Sequence, residues 1–221
     1  MSQGLFSYPA KAAFNRILPK NKIYEHAKPS NRVRDLFVSQ IQQITWQYKL
    51  SPETINLPSR PGVPEIQIFS ITVKINDPSE DVLRCIDEAI PFPIFYQIIF
   101  GNKIKVITAY KRPSDADSTK WVIDAYFETS WQSIDSERSG LPVALDLAGL
   151  YTQMLRQCIP IPARNGEALK DHVARIVQIQ SKEKECKKIK ARLQKEKQFN
   201  RKVELNAQIR ALKNELDSLS A

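Results

Sequence analysis

The residues with the clearest capacity for intermolecular chemistry are cations. Lys182, Lys184, Lys187, Lys188, Lys190, Arg192, Lys195, Lys197, Arg201 and Lys202 fall within 21 residues, offset only by Glu183, Glu185 and Glu196. Cations at this density contact phosphates without sequence preference, and such binding weakens steeply with salt. The candidate nucleic-acid contacts are Lys184, Lys187, Lys188, Lys190, Arg192, Lys195, Arg201 and Lys202. A solvated helix surface accounts for the same residues, because Glu/Lys pairs such as Glu183 and Lys187 stabilise an isolated helix by a few tenths of a kcal/mol. A second basic cluster, Lys11, Arg16, Lys20, Lys22, Lys28, Arg32 and Arg34, lies near Phe14, Tyr24 and Trp46 and reads first as the outer face of a helix.

Catalytic patterns are sparse. The six glycines, at 4, 62, 101, 140, 149 and 166, form neither a Gly-x-Gly-x-x-Gly nor a P-loop pattern, so nothing predicts a phosphate cradle. His26 and His172 stand without a motif, and no Gly-x-Ser-x-Gly elbow is present. Cys85, Cys158 and Cys186 are widely spaced, without a Cys-x-x-Cys pair, and read as reduced thiols. The remaining option is metal-dependent phosphodiester cleavage by carboxylates at strand ends. Glu65, Asp87, Asp124 and Glu128 are the candidates. Glu65-x-Gln67 departs from the Glu-x-Lys tail of such nucleases, and cross-strand pairing with Lys103, Lys105 or Lys111 explains Asp124 and Glu128 equally well. The sequence therefore predicts no catalytic residues, no metal ligands and no cofactor, with a divergent nuclease subunit as the alternative.

Several elements must position these side chains. From Ser30 to Lys49, Val33, Phe37, Ile41, Ile44 and Tyr48 recur at steps of three and four, which predicts one helix capped by Ser30. Phe14 to Tyr24 reads as a short helix interrupted near Leu18-Pro19-Lys20, and Ser51-Pro52 starts another helical turn. Pro58, Pro61, Gly62 and Pro64 mark a boundary. Beyond it, Phe69, Ile71, Val73 and Ile75 alternate with polar residues as in a half-buried strand. Asp77 to Glu80 resembles a helix start ahead of Val82, Ile86 and Ala89, and Pro91 and Pro93 stop that helix. Ile94 to Phe100 and Ile104 to Tyr110 read as strands joined across Gly101-Asn102. A polar loop from Arg112 to Thr119, a strand from Trp121 to Ser130 and a helix from Pro142 to Ile159 follow.

Towards the end, Leu205, Ile209, Leu212, Leu216 and Leu219 step four, three, four, three, the spacing of a coiled-coil seam and the candidate partner-binding surface. Ile179, Cys186, Ile189 and Leu193 run in another phase, so the seam shifts or the helix folds back near 198–201. The expected fold is α+β: N-terminal helices, a mostly antiparallel sheet of about four strands with covering helices, and a long C-terminal coiled-coil helix or helical hairpin. Residues 1–64 form the basic N-terminal helical region, 65–163 the α+β core and 164–221 the basic coiled coil. Their net charges, +6, −4 and +7, make up the overall +9. An acidic middle between basic flanks points to a polyanion or an acidic partner at the ends of the chain. Of 221 residues 42% are hydrophobic and 26% charged, the balance of a globular protein. No apolar run is long enough for a membrane span, and a cytoplasmic location is expected from the lack of a secretory start in Met1 to Ala10.

Several segments resemble the bacterial domain-of-unknown-function family 4391. They are Phe14-Asn15-Arg16-Ile17-Leu18-Pro19-Lys20, the run Gln40 to Leu57, Ile86-Asp87-Glu88-Ala89-Ile90-Pro91, Ala109-Tyr110-Lys111, Leu150-Tyr151, Ile159 to Arg164, and Glu196 to Asn206. The resemblance spans nearly the whole chain and brings no catalytic residues with it. Members of that family tend to be encoded beside helicases and DNA methyltransferases of restriction and phage-defence loci. The resemblance thus implies a non-enzymatic accessory or adaptor protein. Its expected partners are a second copy or another protein held through the C-terminal coil, such as a neighbouring helicase or methyltransferase, and nucleic acid, with no membrane.

Overall fold

Residues Ile41–Leu50 form a strand and not the second half of a helix. In the computed structural model, which describes residues 4–114 and 121–220, the helix begun at Ser30 ends at Gln40. Ile41 and Ile44 are buried while Gln42 and Gln43 between them are exposed. The register slips there and again between Trp46 and Tyr48. Each bulge adds one residue to the period of two, so an apolar step of three, helical in appearance, arises within a strand. The Ile-Thr-Trp content is β-branched and aromatic, as strands favour. Likewise Ala13–Ile17 is a strand, with Asn15 in the left-handed region at φ 50° inside another bulge.

In chain order the elements are β1 (Ala13–Ile17), α1 (Lys20–Ala27), α2 (Asn31–Gln40), β2 (Ile41–Leu50), α3 (Pro52–Ile55), β3 (Ile66–Val73), α4 (Glu80–Ala89), β4 (Ile94–Phe100), β5 (Lys103–Pro113), β6 (Trp121–Glu128), β7 (Gln132–Ser133), α5 (Leu147–Arg156), α6 (Leu169–Lys195) and α7 (Phe199–Ser220). Among the described residues seven strands make one mixed sheet in the order β1-β2-β3-β4-β5-β6, with β7 also on β5. β3 and β4 run parallel through the α4 crossover, and the other pairs are antiparallel. The class is α+β, but the expected four-stranded, mostly antiparallel sheet is wrong. Two N-terminal strands hid behind their bulges, and the α4 connection is long enough to return the chain parallel. Residues 115–119 of the expected polar loop lie outside the described residues.

Caps set the helix limits. Ser30 Oγ accepts from Val33 N, and Ser79, two residues beyond the expected Asp77, accepts from Asp81 N. Helix α5 starts at Leu147 and not near Pro142, because Asp146 accepts from Gly149 N at 2.8 Å while Arg60 holds the same carboxylate. Helices α1, α2 and α4 cover one sheet face, where Ile23, Phe37, Val82 and Ile86 cluster with Phe69, Ile71, Tyr96 and Ile98. Helix α5 covers the other, with Tyr151 against Phe95 at 6.1 Å between ring centroids. Gly4 is buried at φ 73°, and a Cβ there would meet Thr129 Cγ2 at 2.9 Å, so the start of the described chain is fixed by both backbone and space.

By contact density the chain divides into two units, Met1–Pro160 and Ile161–Ala221. All three cysteines are free and buried. Burial pushes the Cys85 thiol up to about 11 and that of Cys158 up to about 12. Thiol chemistry needs the thiolate, so native protein is expected to resist a maleimide while denatured protein takes up three labels, as counted by mass spectrometry.

Candidate functional site: a lined cavity and a basic hairpin

Four carboxylates were the sequence candidates for metal-assisted cleavage, and each has its own cation. Glu65 pairs with Lys49 at 2.9 Å, Asp124 with Arg112 at 2.8 Å and Glu128 with Lys105 at 2.8 Å. Asp87, on α4, meets Lys111 Nζ at 2.6 Å, and both side chains are 0% exposed. Among the described residues no group of three metal-ligating side chains converges. Asp87 sits in a sealed network: Tyr96 donates to Oδ1 at 2.8 Å and Tyr126 donates to Oδ2. Burial lifts the Asp87 carboxyl above its usual range, opposed by Lys111 and by the tyrosine hydroxyls. Closed to solvent, this group cannot touch a substrate.

The network positions a loop instead. A bulge at Tyr110/Lys111 interrupts β5, and Tyr151 Oη fills the gap by accepting from Lys111 N and donating to Ala109 O. Lys111 Nζ reaches the end of α4, where it donates to Ile90 O at 2.8 Å and Phe92 O at 2.9 Å. A cation among the last carbonyls of a helix is favourable in charge as well as in hydrogen bonding. Ile90, Pro91 and Phe92 thereby become a fixed wall.

That wall bounds a cavity of about 540 Å³, within the range of small-molecule sites. Trp46, Phe69 and Leu18 line its apolar side. Trp46 is itself immobilised: its ring stacks on Phe69 at 5.9 Å, and its Nε1 donates to Tyr48 O at 3.0 Å. Helix α1 contributes Lys22 and His26 to the lining, one turn apart. Lys20 ties α1 down by donating to Phe37 O and Ile41 O, both at 2.7 Å. At the polar end Gln67 Nε2 donates to Glu65, whose other oxygen meets Lys49. Gln67 is 3% exposed, and its Oε1 has no partner.

In the second unit α6 and α7 pack against each other along their apolar faces as a helical hairpin. Leu205, Ile209 and Leu212 are buried with Cys186 and Ile189, and Leu193 packs against them. Leu216 and Leu219, the rest of the predicted seam, are half-buried. The far end is closed by arginines. Arg164 donates to Ser218 O and Leu219 O, and Arg175 donates to Leu219 O at 3.0 Å, so cations hold the last carbonyls of α7. Lys184, Lys187, Lys188, Lys190, Arg192, Lys195, Arg201 and Lys202 are all exposed. None of the eight is in an ion pair among the described residues.

Glu167 binds Arg175 through hydrogen bonds of 2.7 and 2.8 Å, which hold its carboxyl down to about 2 against an ordinary 4.5. A depressed folded value means that the stabilisation is complete above about 4.5 and is lost as pH falls towards 2. Helicity of the hairpin is therefore expected to weaken across that window. Circular dichroism melts of wild type and Glu167→Gln should differ near neutrality and converge by about pH 2.

These features define an α+β protein with a mixed sheet, a lined cavity beneath its covering helices and an appended basic helical pair. The chain belongs to the family described as Domain of unknown function (DUF4391), whose profile matches residues 6–216. No curated protein and no solved structure matches it. Among the described residues no helix is long and apolar enough to cross a membrane.

Proposed function

We propose that the protein is a non-enzymatic accessory component of a bacterial DNA restriction or phage-defence system, which meets DNA and a protein partner through the basic α6–α7 pair. The eight exposed cations without ion pairs carry this reading. Glu183 stands four residues before Lys187 and Glu185 three before Lys188, the spacing at which Glu/Lys pairs stabilise a helix, yet among the described residues neither pair closes, and Lys182–Glu215 is the one ion pair that links α6 to α7. Phe199, 77% exposed, stands beside Lys197, Arg201 and Lys202 in sequence, an arrangement that suits a base or an apolar partner surface framed by phosphate-seeking charge. The family resemblance supplies the setting, with helicases and methyltransferases as the partner class. Four separately neutralised carboxylates support an accessory over a nuclease.

Duplex binding, measured by fluorescence anisotropy between about 50 and 200 mM salt, is expected to fall linearly on a log–log plot by about 0.9 per phosphate contacted. Replacing Lys187, Lys188, Lys190 and Arg192 by Gln should make that slope shallower by about three to four. Affinity that ignores salt would overturn the reading. So would plasmid cleavage with magnesium or manganese that is lost in Asp124→Ala.

A further inference from the structure

Helix α7 carries a second face that the hairpin does not use. Leu205, Ile209 and Leu212 are buried against α6, whereas Phe199 is 77% and Val203 53% exposed. At about 3.6 residues per turn these two point away from the buried side, and their row continues at steps of three and four through Asn206, Arg210 and Lys213. Arg210, Lys213 and the neighbouring Lys202 are exposed and in no ion pair among the described residues. Glu204 falls on another side of α7 and Glu215 is bound to Lys182, so the row meets no carboxylate before Asp217. At the turn, Glu196 Oε1 accepts from Lys197 N at 2.8 Å and from Gln198 N at 2.9 Å. Its charge is thereby directed into the backbone, and Lys195 and Lys197 stay exposed beside Phe199. A large ring left in water on so charged a helix is the informative exception on this surface.

We propose that this face binds single-stranded DNA, with an unpaired base stacked on the Phe199 ring and the adjoining phosphates along Lys202, Arg210 and Lys213; this rests on the hairpin being a DNA contact and narrows it to one form of DNA. Charge selects the occupant, because a row of cations without carboxylates complements a polyanion. The ring selects the form. In a duplex each base face is covered by its neighbours and only the edges reach the grooves, so Phe199 gains a partner only where bases are unstacked. Every base has such a face, and the contact is therefore indifferent to sequence. From Phe199 to Lys213 the row spans about 21 Å at about 1.5 Å per residue, the length of a few nucleotides. It lies wholly within the Ile161–Ala221 unit.

The test is fluorescence anisotropy on the full chain with a labelled oligothymidylate and a labelled blunt duplex. Phe199→Ala is expected to weaken single-strand binding by about fivefold or more, the loss typical of one base–aromatic stack, and to change duplex affinity by less than about twofold. Phe199→Trp should keep the wild-type affinity for the strand, whereas Phe199→Leu, apolar but without a ring face, should lose as much as Phe199→Ala. Because Phe199 is exposed, all three variants should match wild type in ellipticity at 222 nm. Replacing Lys202, Arg210 and Lys213 by Gln should make the salt dependence of single-strand binding shallower by about two, at about 0.7 per phosphate. Unchanged strand affinity in Phe199→Ala or in Phe199→Leu overturns the stacking, and salt-dependent duplex binding that persists alongside leaves the broader DNA reading standing. No binding of either form overturns both. Polyglutamate matched in charge that binds as tightly as the strand also overturns the proposal and assigns the face to an acidic protein.

Discussion

Lys111→Met is expected to cost the Met1–Pro160 unit about 3–5 kcal/mol, the loss typical of removing one partner from a buried ion pair. The mutation leaves Asp87 at 0% exposure without its counter-charge. It also strips the donor from Ile90 O and Phe92 O at the end of α4. Tyr96 and Tyr126 still donate to the carboxylate, so Asp87 can survive by taking up a proton. The measurement can be confined to this unit, because all three tryptophans, Trp46, Trp121 and Trp131, belong to it. Urea unfolding followed by tryptophan fluorescence should show the midpoint fall sharply. The double variant Asp87→Leu with Lys111→Met should be less destabilised than Lys111→Met alone, since no charge is then buried. A loss below about 1 kcal/mol in Lys111→Met would mean that the pair is not closed off from water.

The same residues show what the sequence reveals and what it hides. β3 to β6 were legible because alternation in Phe69, Ile71 and Val73, and the Gly101-Asn102 turn, are local signals. Gly101 indeed takes φ 58°. β2 was not legible, because a bulge and a helical turn impose nearly the same apolar spacing, and only pairing with β3 distinguishes them. The cavity was hidden for a related reason: Trp46, Gln67, Phe92 and Lys22 come from four separate segments that only the sheet brings together. One sign was present. Gln67 lies two residues before Phe69 and therefore on the inward side of β3, and an inward polar residue is the informative exception to burial. The exposure of the basic run was readable, since exposed charge needs no tertiary partner, except at Lys182, which is half-buried and pairs with Glu215. The leucine seam was readable as a seam but not as to its occupant, because Cys186 and Ile189 meet it through a fold-back that heptad spacing alone does not specify.

That occupant decides the outcome of Leu212→Asp. Among the described residues, Leu212 is buried in a cluster whose other buried members are Leu205, Ile209, Cys186 and Ile189. Removing the leucine contacts costs about 2–5 kcal/mol, and a carboxylate in their place adds a desolvation penalty. A helix the length of α7 gains little from propensity alone and depends on its packed face. The Arg164 and Arg175 bonds to the last carbonyls of α7 lie at the other end of α7 from Phe199 and cannot replace a core. The variant is therefore expected to lose much of the ellipticity of α6 and α7 at 222 nm while its tryptophan fluorescence is unchanged, since Ile161–Ala221 contains no tryptophan. Its mass by light scattering should equal that of wild type. If helicity persists and the mass falls, the seam faces a second copy in solution, and the leucines serve association before they serve the chain's own hairpin.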